Sequence, residues 1–113
     1  MAPQFAARAL GLVSALVLMS SVHATAETAA AERGKAILQE KCARCHAVEA
    51  VGTSPLAAAP PLREIYARYA LRELQERFSE GLASRHKDMP QIQFSDEDTH
   101  AILTYLYALA VRN

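Results

Sequence analysis

Two cysteines three residues apart, with a histidine directly after the second, constrain this 113-residue chain more than any other feature: Cys42-Ala43-Arg44-Cys45-His46. They are its only cysteines. About one helical turn separates the sulfurs at this spacing, so both can serve one edge of a bound group, with His46 beside the second. A disulfide between them leaves His46 without a role. A thioredoxin-like redox pair wants a strand before the motif and a βαβ pattern around it, and neither is visible. A structural zinc site needs about four ligands, and the remainder would come from His86, His100 or carboxylates at no recognisable spacing.

The beginning of the chain says where the motif operates. Arg8 is the only early charge, the run Ala9–Met19 is apolar, and Val22-His23-Ala24-Thr25-Ala26 ends in small residues. This is the three-part layout of a secretory signal peptide. Cleavage after Ala26 satisfies the small-x-small rule, with cleavage after Ala24 close behind. An uncleaved membrane anchor is the competing reading, but the apolar run falls well short of the roughly 20 residues a spanning helix needs. The expectation is a signal peptide over 1–26, one domain over 27–113, a periplasmic location and no membrane span after cleavage.

Losing Arg8 leaves 11 Lys and Arg against 12 Asp and Glu. There is no basic block and the charges alternate in sign, as on solvated helix faces, so nucleic acid is not an expected partner. A domain this short buries little more than about 60% of its unfolded surface, which is marginal without a staple, metal or cofactor.

Hydrophobic periodicity indicates an all-α chain. Ala30, Gly34, Ile37, Leu38 and Cys42 lie on one helical face, giving a helix from about Ala29 to Ala43. Residues 48–61 contain Gly52, Ser54, Pro55, Pro60 and Pro61 and read as a loop. Leu62, Ile65, Tyr66 and Tyr69 start a short helix, with Pro61 suited to its first position. The apolar set then shifts phase to Leu71, Leu74, Phe78 and Leu82, which implies a break near Tyr69–Ala70 and a helix ending near Gly81. A polar turn through Arg85, His86 and Lys87 leads to Asp88-Met89-Pro90, where the proline forces Met89 extended. Ser95, with Asp98 three residues on, caps a last helix that buries Ile102, Tyr105, Leu106 and Leu109 and runs to about Val111.

The C-x-x-C-H string is the attachment motif of c-type haem. Both sulfurs can form thioethers along one porphyrin edge while His46 offers an imidazole nitrogen to the iron. A second axial ligand follows by elimination: Met1 and Met19 leave with the signal, so Met89 is the only thioether left. A lone methionine is ordinarily a core filler, and that reading stays open. The loop setting of Met89, the proline after it and its place before the last helix favour ligation. Two neutral ligands favour the ferrous state and raise the potential.

With these residues in place the sequence resembles the monohaem class I cytochromes c. The resemblance runs from Glu32-Arg33-Gly34 through C-x-x-C-H and Asp88-Met89-Pro90 to Ile102-Leu103-Thr104-Tyr105-Leu106. Cytochromes c′, with one iron face open, carry their motif near the C-terminus instead. The resemblance implies about four helices around one covalently bound haem, with the N- and C-terminal helices crossing. It implies that Gly34 admits the last helix against Tyr105, with Leu38 beside the crossing. It also implies that the Pro60 carbonyl accepts a hydrogen bond from His46 and that Leu62 packs on the haem. The chain departs from many members in lacking Trp, a common propionate partner, for which Tyr66, Arg63 or Arg68 could stand in. His86 and His100 read as surface residues, and Lys87 becomes a ligand only if Met89 lets go.

With both axial positions filled, the remaining chemistry is gain and loss of one electron. The expectation is a monomeric carrier, not an enzyme, with Ile37, Leu38, Leu62, Leu74, Phe78, Leu103 and Leu106 around the haem. Its donor and acceptor proteins dock transiently through small interfaces. The alternatives are a relay subunit of a larger periplasmic dehydrogenase or oxidase, and an open-site protein that binds a ligand at the iron.

Overall fold

The computed structural model describes residues 6–82 and 87–112, with side chains from residue 23 onward. Its described residues form four helices and no strand. Helix α1 spans Ala6–Lys41, α2 Leu62–Arg68, α3 Leu71–Glu80 and α4 Asp96–Val111.

Helix α1 begins far earlier than the expected Ala29 and stops two residues before Ala43. The reason lies in Ala24–Ala31, which is alanine-rich and has neither Gly nor Pro, so nothing interrupts a helix already running. Residues 23–29 are exposed; burial begins at Ala30 and Ala31 and deepens at Gly34 and Leu38. At its end the amides of Cys42 and Ala43 both donate to the Leu38 carbonyl, at 2.8 and 3.1 Å.

Helix α2 starts with Pro61 at its N-cap, one position earlier than expected; the Pro61 carbonyl accepts from Glu64 and Ile65. Tyr69 and Ala70 are extended, which makes the break between α2 and α3. Leu74 and Phe78 of α3 are buried, but Leu71 is 56% exposed, because it is the first helical residue and precedes the packed turn. Gly81 caps α3 with φ 115°, a conformation that costs glycine little. Ser95 caps α4, its Oγ accepting from the Asp98 amide at 3.1 Å.

Helix α4 is the spine. It packs most extensively on α1 and also carries α2 and α3, so its buried residues cover a wide arc: Thr99, Ala101, Ile102, Leu103, Tyr105, Leu106 and Leu109. α1 and α4 touch backbone to backbone at Gly34. A Cβ there would collide with the Ala101 carbonyl and lie 2.8 Å from the Ile102 amide nitrogen. The crossing is therefore at Ala101–Ile102, about a turn before the expected Tyr105. Leu38 and Ile102 flank it, both with 0% exposure. Arg33 ties the same ends together from outside, 2.8 Å from Glu97 and 2.7 Å from Asp98.

Phe94 is buried against Phe78, ring centroids 5.8 Å apart and edge-on. The chain reaches it by a return past α3. The Leu82 amide donates to the Ile92 carbonyl at 3.1 Å, Phe94 to Phe78 at 2.9 Å, and the Gln93 side chain to the Ser79 carbonyl at 2.9 Å. No helix among the described residues is long and apolar enough to cross a membrane.

Candidate cofactor site

The cysteine pair sits on the turn that leaves α1. Both Cys45 and His46 donate their amides to the Cys42 carbonyl, at 3.1 and 2.9 Å, so the five-residue motif is a wound turn and not an extended strand. Cys42 and Cys45 are half-buried free thiols, so the disulfide weighed from sequence is not formed. Burial, with Cys45 alongside, pushes the Cys42 thiol up to about 11. A redox-active cysteine needs a lowered value, so this is the wrong setting for thiol exchange. The group of ligands a structural zinc site requires is not assembled among the described residues.

His46 is 9% exposed, and its surroundings fix it from both sides along the chain. The Leu56 amide donates to the Cys45 carbonyl at 3.2 Å and the Leu62 amide to the Ala47 carbonyl at 3.0 Å. The Ala47 amide donates to Ser54 Oγ at 3.0 Å. The ring itself donates from Nδ1 to the Pro60 carbonyl at 2.7 Å. An acceptor carbonyl at that nitrogen sets the tautomer with the proton on Nδ1 and the lone pair on Nε2. No described residue bonds Nε2.

The other residues singled out from sequence lie as follows. Leu62 is buried in the core with Leu38, Leu74, Phe78, Leu103 and Leu106, while Ile37 is only half-buried. Met89 is half-buried in a bend directly before Pro90. Lys87 and His100 are exposed; Arg85 and His86 lie outside the described residues. Arg63 donates to two backbone carbonyls, those of Glu49 and Gly52, Arg68 pairs with Glu64, and Tyr66 packs against the core.

A wound C-x-x-C-H turn ahead of a helical domain is matched, over residues 31–110, by the sequence profile of the family described as cytochrome c. The chain belongs to the cytochrome c family. No curated protein and no solved structure is matched. The matched span begins at Ala31, one residue after burial in α1 begins.

Cytochromes c are electron carriers and not enzymes, and they bind haem c covalently through a cysteine pair, here Cys42 and Cys45. The residues of this cytochrome c suit that group on their own chemistry. Two thiols about one turn apart are followed by an imidazole whose Nδ1 is already used on Pro60. When bound, haem supplies a reversible one-electron couple. The family's function implies redox partner proteins.

Sequence reasoning did not find Ser54, Glu49 or Tyr105 as supports of the His46 turn. Tyr105 offered a signal, since a tyrosine on an apolar helix face must find a partner for its hydroxyl once buried. That partner is the Val48 carbonyl, at 3.1 Å.

Proposed function

We propose that this cytochrome c is exported to the periplasm and carries single electrons between partner proteins, with its haem iron held by His46 and Met89. In this reading residues 1–26 are removed as a signal peptide and 27–113 form the working domain. Cys42 and Cys45 tether the haem, His46 ligates through Nε2, the Pro60 carbonyl orients the His46 ring, and Leu62 packs on the haem.

The observation that carries the reading is the 2.7 Å bond from His46 Nδ1 to the Pro60 carbonyl. It holds the imidazole in the tautomer a metal ligand needs and raises its basicity. Ligation by Met89 is supported by its being the only methionine of residues 27–113 and by its bend before Pro90. The stretch that carries it is also tied at both ends, through Leu82 to Ile92 and Phe78 to Phe94. Export is supported by the charge, apolar run and small residues of 1–26. It is supported too by the exposure of residues 23–29, since cleavage after Ala26 removes no buried side chain among the described residues.

The protein's task is then to hold two fixed ligands and keep water and small molecules off the metal. Leu38, Leu62, Leu74, Phe78 and Leu106 supply the apolar surroundings. Met89→Ala tests the assignment in protein made by a haem-attaching host. The wild type is expected to give a six-coordinate low-spin spectrum, with a weak far-red thioether band when oxidised, and not to take up carbon monoxide when reduced. The variant should lose the band and bind carbon monoxide. A variant spectrum identical to wild type removes Met89 from the site; ready carbon monoxide binding by the wild type overturns the closed-site carrier.

A further inference from the structure

Four side chains from three helices converge on the stretch directly after His46, and tethering and ligation use none of them. From α1, Lys35 Nζ lies 3.1 Å and Gln39 Nε2 3.2 Å from Glu49 Oε1. From α4, the Tyr105 hydroxyl donates to the Val48 carbonyl and lies 3.5 Å from Glu49 Oε2. From α2, Arg63 places one guanidinium nitrogen 3.2 Å from the Glu49 carbonyl and the other 2.8 Å from the Gly52 carbonyl. The first three hold residues 48 and 49 to the helix pair. Arg63 does something different, because it comes from the far side of the loop.

We propose that Arg63 is a positioning residue for the axial histidine: its forked bonds to the Glu49 and Gly52 carbonyls fix the Pro60 carbonyl against His46 Nδ1. This rests on His46 being the haem ligand. Pro60 stands three residues before Arg63, immediately ahead of the α2 N-cap, so its carbonyl moves with the first turn of α2. That turn is attached to the segment after His46 at three points: Leu62 to Ala47 by backbone, and Arg63 to residues 49 and 52. Residues 47–60 form a long loop with no helix, pinned on the His46 side by the Ala47–Ser54 and Leu56–Cys45 bonds, while its α2 side is held by Leu62 and Arg63. Arg63 turns it into a closed brace.

Two carbonyls bridged by one planar fork is geometry a lysine ammonium does not reproduce, although it keeps the charge. The distinction separates positioning from electrostatics. A nearby positive charge disfavours the oxidised iron, so loss of charge alone lowers the potential. A slackened Nδ1–H to carbonyl bond makes the imidazole a weaker donor to the metal, which disfavours the oxidised state and raises the potential.

The experiment uses haem-loaded wild type, Arg63→Lys and Arg63→Met. In each, the exchange of the His46 ring Nδ1 proton with water is followed by NMR in the reduced state, alongside the midpoint potential and the thermal midpoint. Arg63→Lys should exchange that proton up to about tenfold faster, the factor a weakened hydrogen bond of ordinary strength allows, and shift the redox equilibrium toward the reduced form by up to about tenfold, 59 mV for one electron. Arg63→Met should show the same acceleration. If it fails to fold, Arg63→Lys alone carries the test. Wild-type exchange in the folded variants, with only the thermal midpoint lowered, overturns the proposal in favour of a purely structural contact. Wild-type values throughout for Arg63→Lys, with a lowered potential for Arg63→Met, overturn it in favour of a charge effect. A haem-loaded wild type in which the His46 ring signals carry no shift from the haem would overturn the reading beneath it, and this is seen before either variant is compared.

Discussion

Replacing Gly34 with alanine sets helix propensity against packing, and the structure says which prevails. Gly34 lies inside α1, and alanine there would gain about 1 kcal/mol of helix propensity. The added methyl, however, would meet the backbone of Ala101 and Ile102, which cannot rotate away as a side chain could. To restore ordinary contact the helices must part by well over an ångström, and a gap of even about 0.5–1 Å already forfeits a quarter to a half of the dispersion energy across it. Leu38 and Ile102, both fully buried at the crossing, lose most. Overpacking costs about 1–3 kcal/mol in general, and backbone on the receiving side places this site at the upper end. The net expectation is a loss of about 2 kcal/mol, or about 8–16 °C in Tm for a domain of this size. Far-UV circular dichroism melts of the haem-loaded domain measure it. Ala36→Gly, at an exposed position of the same helix, serves as control and should cost only about 1 kcal/mol. An unchanged or raised Tm for Gly34→Ala would refute the backbone-to-backbone crossing.

Two further expectations concern the same helix pair. The bond from Arg33 holds the Asp98 carboxyl below the usual carboxylate range, so its stabilisation is present above the ordinary carboxylate pKa and lost as pH falls through the depressed one. Asp98→Asn should flatten the acid side of a urea-midpoint profile against pH, and a profile parallel to wild type would contradict the pairing. Ser95→Ala removes the acceptor for the Asp98 amide and should cost about 1 kcal/mol in chemical denaturation, whereas Ser95→Asp should retain the cap.

The sequence was most informative where one local signal decided an element. The phase shift between Tyr69 and Leu71 marked the break from α2 to α3, and Gly81 and Ser95 marked helix ends because their conformations and side chains suit nothing else as well. The C-x-x-C-H turn was legible for the same reason. Its chemistry depends on neighbours in sequence. What went unread depends on residues far apart. The start of α1 was missed because the small residues that suit a cleavage site are also strong helix formers. Phe94 was missed because it belongs to no periodic stretch, and only the return past α3 brings it to Phe78. The crossing at Ala101 in place of Tyr105 is a matter of position along the helix axis: residues four apart share a face, so a pattern of apolar residues leaves the crossing point uncertain by about a turn. Arg63 was read only as a candidate propionate partner, since no property of residues 49 and 52 announces that their carbonyls need a donor.

The contact of Gly34 with Ala101 makes residues 42–95 a closed ring in all but covalent terms, with the two outer helices as its clasp. The entropy of closing such a ring changes slowly with its length, by only about 0.6 kcal/mol for each doubling. Length between the helices is therefore an inexpensive variable for this architecture, and rigidity near His46 is not. A few residues added at the exposed, extended Tyr69–Ala70 junction would scarcely alter closure, yet the same addition between Glu49 and Arg63 would change the fit around the histidine. The chain thus has one part of its circumference open to variation and another whose dimensions are set by the bonds that fold residues 47–63 around His46.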